Sequence, residues 1–284
     1  MKKIIGVITA RMTSKRLPGK VLLNLSGKSL FSHHIERMRD VSGLSEIYLA
    51  TSNNPLNYDL IEAAKKEGVK YYAGAEEDVV SRHINICEME NADAVIRVTC
   101  DMPLFNIDAA SQYISIFNKN KYDFICASNM TPITGTVPEL ISHDALIRVH
   151  QEYRGAAVSQ LIKENSSLYS TYLIKFHEDL VRPEYRLTID EKEDYTLLCN
   201  IYDNLYSRCP ISLFEVYKYL DDNPSISKIN SRIKIKNVNV FSANLIESPL
   251  YSVVNSGSGY VILDKYKRKI DYLTFKKELV RIFE

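Results

Sequence analysis

The chain has 284 residues, 45% hydrophobic and 25% charged, the make-up of an ordinary globular protein with room for one large or two modest domains. Formal net charge is +1, so no overall field draws in nucleic acid or an anionic membrane, and any anion site must be a local cluster of cations. The five cysteines, at 87, 100, 126, 199 and 209, form no CxxC pair and are odd in number, which argues against a disulfide framework and a zinc knuckle.

The opening MKKIIGVITARM is basic and then apolar, but the apolar part lasts only about seven residues before Arg11, too short for a secretory signal. No apolar run approaches the roughly 20 residues that span a bilayer. The sequence therefore reads as a cytoplasmic enzyme or binding protein without a membrane span and without a nucleic-acid partner.

Lys3–Ala10 is near-continuously apolar, as expected of a central parallel strand covered on both faces. A loop follows, Arg11–Gly19, ending in Pro18-Gly19, and then a short apolar stretch, Val21–Leu25. Ser29 caps a helix in which Phe31, Ile35 and Met38 share a face. Glu46–Thr51 is a second strand, ending in the polar loop Ser52–Pro55. Tyr58–Glu67 is helical with Gly68 as its stop. Lys70–Ala73 is a strand, Val79–Glu90 a helix, Ala94–Thr99 a strand, Ile107–Asn118 a helix and Tyr122–Ala127 a strand.

Past 127 the pattern loosens. A helix capped by Ser142 is expected to run to Glu152 and another over Ala156–Asn165, with strands over Leu168–Phe176 and Arg186–Ile189. Glu191–Tyr206 and Ser212–Leu220 read as helices. From Asp221 the composition turns rich in Asn, Ser, Ile and Lys, with a turn at Val254–Tyr260, a strand at Val261–Leu263 and a closing helix at Tyr272–Ile282.

Strands alternating with helices predict an α/β fold with a mostly parallel sheet and helices on both faces. Such sheets bind ligands outside the carboxyl ends of their strands. The polar residues fall at those ends: Arg11–Lys20, Thr51–Asn54 and Thr99–Asp101.

In ARMTSKRLPGK, cations and loop N–H groups suit the oxygens of a multiply charged anion, such as a nucleoside triphosphate. A solvated surface loop is the plainer account. Ser26-Gly27-Lys28-Ser29 ends like a P-loop, but Leu22 stands where that motif needs its first glycine. In RVTCDMPL, Asp101 beyond a buried strand suits magnesium, which binds through one or two carboxylates plus substrate phosphates. It equally suits a turn. In RLTIDEKEDY, Asp190 ends a strand as a helix cap or a metal ligand, and Glu191, Glu193 and Asp194 load the helix's first turn with negative charge. In GAEEDVVSRH, Asp78 caps a helix and Arg82 lies one turn in. The histidines form no HxH or HExxH pattern, and no G-x-S-x-G occurs.

Taken together, these segments resemble the sugar cytidylyltransferases, whose opening signature is ARxxSxRLPGKxL…GKPL. The spore-coat polysaccharide branch is the nearest, related to the 3-deoxy-manno-octulosonate and acylneuraminate cytidylyltransferases. ATSN at 50–53 matches that branch's second strand end. GAEEDVVSRH resembles G-x-x-x-D-V-L-x-R-Y with His83 for Tyr. RVTCDMPL resembles R-x-T-G-D-x-P-L with Cys100 for Gly, and RLTIDEKEDY resembles R-x-T-V-D-T-x-E-D. The matches run in order over about residues 3–200.

The resemblance implies a Rossmann-like nucleotidyltransferase fold and a CTP-dependent, Mg²⁺-dependent reaction. It implies Arg11, Ser14, Arg16 and Lys20 on the triphosphate, and Ala10, Thr51, Ser52, Asp78 and Arg82 on the base and ribose side. It makes Arg11, Lys20 and Asp101 the catalytic set and Asp101 and Asp190 the metal ligands, with Glu139, in GTVPE, and Arg186 on the acceptor side. A homodimer is implied as well. The branch's R-E-H-V-T segment is replaced here by Arg154-Gly155-Ala156-Ala157-Val158-Ser159, where the sugar pocket is expected. Residues 1–224 read as the catalytic domain and 225–284 as a C-terminal extension. Two acceptor classes stay open, a 3-deoxy-2-ulosonic acid giving a CMP-sugar and a phosphorylated sugar or alditol giving a CDP-product. So does a non-catalytic nucleotide-binding module.

Overall fold

A computed structural model describes residues 2–14, 16–128, 135–153, 155, 158–176 and 181–233, together with the backbone of strands at 245–247, 251–255, 260–264 and 269–270. In chain order the elements begin with β1 (Ile4–Thr9), the small hairpin β2 (Asn24–Leu25) and β3 (Lys28–Ser29), α1 (Leu30–Arg39), β4 (Glu46–Ser52), α2 (Tyr58–Lys66) and β5 (Lys70–Gly74). They continue with α3 (Val79–Glu90), β6 (Ala94–Thr99), α4 (Ile107–Lys119), β7 (Phe124–Ala127), β8 (Glu139–Ser142), α5 (His143–Glu152), α6 (Gln160–Glu164) and β9 (Thr171–Lys175). After these come α7 (Lys192–Leu205), α8 (Leu213–Asp222), α9 (Pro224–Ser227), β10 (Leu245–Glu247), β11 (Tyr251–Asn255), β12 (Tyr260–Asp264) and β13 (Lys269–Ile270).

Eight of the strands form one sheet in the order β10-β9-β7-β8-β6-β1-β4-β5. β1 lies parallel to β4 on one side and to β6 on the other, with Thr9 opposite Ala50 and Thr99. The chain winds outward from β1 through β4 to β5, then returns to β6. The order reverses between β1 and β6, and the carboxyl ends of these two strands are where such sheets place their ligand crevice. β8 is the antiparallel member, wedged between β6 and β7. Its Glu139–Ser142 run follows Pro138 and is apolar only at two positions, which is why the sequence did not announce it as a strand.

The apolar pattern explains the two covered faces. Alternate residues of β1 go to opposite sides: Ile4 and Ile8 pack with α1, α2, α4, α7 and α8, whereas Ile5 and Val7 pack with α3, α5 and α6. The expected α/β sheet with helices on both faces is thus the observed one. Ser29, Asp78, Asn106 and Ser142 each accept a backbone N–H at their helix starts, so α1, α3, α4 and α5 begin where local capping puts them.

Val21–Leu25 runs from a 3-10 turn at Lys20–Leu22 into β2, and Ser26-Gly27 is the turn of the β2–β3 hairpin, not a phosphate loop. Two local expectations change. Arg186–Ile189 is no regular strand: its backbone groups serve Asp101 and Asn230 instead of a ladder. The N-cap of α7 is Glu191, in a capping box with Asp194, and not Asp190. The turn at Val254–Tyr260 is flanked by the antiparallel pair β11 and β12, with its tip outside the described residues, as is the helix expected at Tyr272–Ile282. β10 adds a parallel edge strand beside β9. Among the described residues no helix is long and apolar enough to cross a membrane.

Candidate active site

The loop after β1 closes on itself. Gly19 donates its N–H to Met12 O at 3.0 Å, and its left-handed backbone (φ 69°) reverses the chain after Pro18. This return sends Lys20 inward. Its side chain is only 11% exposed, and its ammonium donates to Ile189 O at 2.6 Å and Asp190 Oδ1 at 3.0 Å, with Asp101 Oδ2 at 3.9 Å. Three of the sequence-predicted residues, spread over 170 positions, thus meet at one ammonium.

The Asp190 carboxylate also faces Arg16 Nη2 at 3.0 Å and Arg186 Nη2 at 3.3 Å. Burial alone would raise its pKa, but Lys20, Arg16 and Arg186 outweigh burial and hold it below the usual carboxylate range. Arg16 reaches Glu191 as well, at 2.9 Å. Asp101 sits just past β6. Its backbone carbonyl accepts from Ile189 N and Thr188 Oγ1, which joins the 101 turn to the 186–190 segment. Gly135 makes that junction possible. At φ 98° it packs so closely that an added Cβ would lie 2.6 Å from Thr188 N.

A second group lies beside the loop. Arg11 is 42% exposed and approaches Glu76 at 3.8 Å. Glu76 also accepts from Thr13 Oγ1 and Asn54 Nδ2, tying the β1 loop to the loop after β4. Asn57 strengthens the tie: it accepts from Met12 N and donates to Ser52 Oγ at 2.6 Å. Arg82 is buried and folds back on Ala75 O and Glu76 O. Ala10 continues β1, donating its N–H to Ala50 O. Ser14 Oγ accepts from Leu17 N. Thr51 and Ser52 are fully buried beneath these loops. Asp78 caps α3 and contacts His150 Nε2 at 2.7 Å.

Glu139 belongs to a third cluster, on β8. It accepts from Arg97 Nη1, Lys163 Nζ and Ser159 Oγ, each within 2.7 Å. Burial would raise its pKa, but Lys163 and Arg97 drive it down to about 2, so it is a carboxylate. His83 stands nearby: Nδ1 meets Val79 O and Nε2 meets Thr9 Oγ1, and burial lowers its pKa to about 3. It is neutral.

The structure therefore brings Arg16, Lys20, Asp101, Arg186 and Asp190 into one cluster and sets Arg11 and Arg82 beside Glu76, with Glu139 in a cluster of its own. Sequence reasoning missed Asp194, Glu76, Asn57, Arg97, Lys163 and Asn230. The capping-box spacing of Glu191 and Asp194 was the available signal for Asp194. The others carry none, because each acts through a partner on a distant segment.

This arrangement, cations and paired carboxylates gathered at the carboxyl ends of β1 and β6, agrees with comparisons to known proteins. A cytidylyltransferase family model matches residues 5–222. The chain is 29% identical over 238 residues to the spore coat polysaccharide biosynthesis protein SpsF of Bacillus subtilis, covering 79% of this chain and 96% of that one. It is 30% identical over 126 residues to the 8-amino-3,8-dideoxy-manno-octulosonate cytidylyltransferase of Shewanella sp. (strain W3-18-1), covering 44% of this chain and 51% of that one. A solved cytidylyltransferase from Leptospira borgpetersenii superposes with a TM-score of 0.75 at 24% identity, over 84% of this chain and 100% of that one. The family match spans every strand from β1 to β9 and both carboxylate segments, so the chain belongs to the cytidylyltransferase family and is a CTP-dependent nucleotidyltransferase.

Proposed function

We propose that the chain transfers CMP from CTP to a sugar acid of the 3-deoxy-2-ulosonic type and releases pyrophosphate, in the biosynthesis of a surface polysaccharide or glycan. The observation that carries the site is the convergence of Lys20 on Asp190 and Asp101 beside the β1 loop. The sugar-acid acceptor is supported by the octulosonate relative. Residues 1–224 form the catalytic unit, with 225–284 as an extension whose first residues, through Asn230, pack onto it.

An acceptor hydroxyl oxygen attacks the α-phosphorus in line, the bond to the β-phosphate oxygen breaks, and the hydroxyl proton is lost. Arg11, Ser14, Arg16 and Lys20 hold the triphosphate and neutralise charge gathering on the leaving pyrophosphate. Lys20 is well suited to that task because it is already desolvated and oriented. Ala10, Thr51, Ser52, Asp78 and Arg82 shape the base and ribose side, with Thr51 and Ser52 acting from beneath through the loops they support. Glu139 and Arg186 serve the acceptor side. Glu139 does so by fixing Arg97 and Lys163.

A divalent cation fits the carboxylates present. Asp101 Oδ1 is buried with no hydrogen-bond partner, and Asp190 stays ionised. Among the described residues no three His, Cys, Asp or Glu side chains gather into a cage, so a cation here would take its other ligands from phosphate and water. When bound, Mg²⁺ on Asp101 and Asp190 would polarise the α-phosphate.

Pyrophosphate release tests the reading, with CTP, UTP and ATP against 3-deoxy-manno-octulosonate, acylneuraminate and a sugar phosphate. CTP with an ulosonic acid gives turnover, and Asp101→Ala abolishes it while the protein stays folded. Wild-type turnover by that variant would sink the assignment. Turnover only with a sugar phosphate would replace the acceptor class.

A further inference from the structure

We propose that Asn230, which lies beyond the residues matched by the family model, is a positioning residue for Asp190 and Lys20, acting through Asp194 and Arg186. The inference rests on the reading of Asp190 and Lys20 as nucleotide-site residues.

Asp194 is fully buried and is the hub of the arrangement. Its Oδ1 accepts from Arg186 Nε at 2.9 Å and from Asn230 Nδ2 at 2.8 Å. Its Oδ2 accepts from Arg186 Nη2 at 3.1 Å and from the backbone N–H groups of Asp190 and Glu191, both at 3.0 Å. A carboxylate offers about four lone-pair sites, so these five donors leave it saturated and fixed. One side chain thus sets both the backbone at 190–191 and the guanidinium that touches Asp190 Oδ2.

Asn230 closes the hub from outside the catalytic sheet. It is 2% exposed, and its amide group donates twice, to Asp194 Oδ1 and to Arg186 O at 2.8 Å. It therefore pins the backbone of Arg186 as well as that side chain's anchor. Asn230 is held in turn: α9 follows α8 directly, Ile226 and Ile229 pack on the core, and Ile233 N donates to Asn230 O at 3.0 Å. Without Asn230, Asp194 Oδ1 keeps only Arg186 Nε and Arg186 O loses its Asn230 donor, so Arg186 can shift relative to Asp190. Asp190 and the Ile189 carbonyl beside it are the oxygens to which Lys20 donates, so the shift reaches the ammonium.

A merely structural role would loosen every part of the site alike. A positioning role acts along one path. CTP affinity in MgCl2, measured calorimetrically on the full chain, separates the two without any acceptor. Asn230→Ala weakens CTP binding about tenfold in the otherwise native chain, the size of a lost charge-assisted contact. In the Asp190→Asn background the same change weakens binding less than about twofold, because the path is already cut. In the Arg11→Ala background, which belongs to the separate Glu76 group, the full tenfold loss returns. Unchanged affinity in Asn230→Ala, or equal losses in both backgrounds, overturns the proposal. Where Asn230→Ala shows no cooperative unfolding, Asn230→Ser, which keeps a donor, is measured the same way. Failure of both to fold overturns the proposal by assigning Asn230 to folding alone. Native affinity in Asp190→Asn by itself would instead sink the underlying reading of the site.

Discussion

Lys20 Nζ lies 3.0 Å from Asp190 Oδ1, although 170 residues separate the two in the chain. The pair links the loop after β1 to the entry of α7, and so couples the proposed nucleotide site to a segment that contains no regular strand. Lys20→Met is expected to lower kcat by about 10²–10³-fold, the usual cost of deleting one preorganised charged donor. It also removes a cation that keeps the Asp190 pKa low. A lowered pKa in the folded state adds stability above the ordinary carboxylate pKa and loses it as pH falls through the lowered value. The variant's stability deficit in urea is therefore largest near neutral pH and shrinks in acid.

The Glu139 cluster makes a similar but stronger prediction. Glu139→Gln leaves Arg97 and the partly exposed Lys163 without their counter-charge and costs about 3 kcal/mol at pH 7, toward the low end for a broken buried pair because Lys163 already reaches water. Since the Glu139 pKa is lowered to about 2 in the fold, the difference from wild type persists down to the ordinary glutamate value and fades between there and pH 2. Urea titrations across that range would show it. A constant difference would mean that Glu139 is not ionised.

His83 and His34 act in the opposite sense. Burial lowers their pKa to about 3 and about 4, so the unfolded chain binds protons that the folded one refuses. Stability is complete above about pH 6.5 and falls as pH drops below it. At pH 5 each histidine costs about 2 kcal/mol. His83→Gln retains hydrogen-bonding capacity and cannot titrate, so its stability curve should be flatter between pH 7 and 5.

Gly135 is expected to tolerate no side chain. Gly135→Ala forces a Cβ against the Leu187–Thr188 backbone and costs about 1–3 kcal/mol, with a fall in kcat because Thr188 and Ile189 hold the Asp101 carbonyl. Gly68 is the control. It also has a left-handed backbone, but a Cβ there meets nothing within 4 Å, so Gly68→Ala costs about 1 kcal/mol and leaves kcat unchanged.

The βα alternation up to Ala127 and the capping of α1, α3 and α5 were legible from the sequence. These depend on apolar period and on residues one turn apart, which a single sequence displays. The sequence also marked Lys20, Asp101 and Asp190 as polar residues at strand ends. That β8 enters the sheet backwards follows from long-range pairing alone, because an antiparallel insertion depends on which neighbours are free to pair. Tertiary structure also turned Arg186–Ile189 from an expected strand into a strap across Asp101, since Asn230 and the Asp101 carbonyl take the groups a ladder would need. Asp194 looked like charge spread along a helix start, and became the buried hub once Arg186 and Asn230 reached it from outside that helix. Contacts between residues tens of positions apart leave no period and no spacing in the sequence, and they are what hold the site in register.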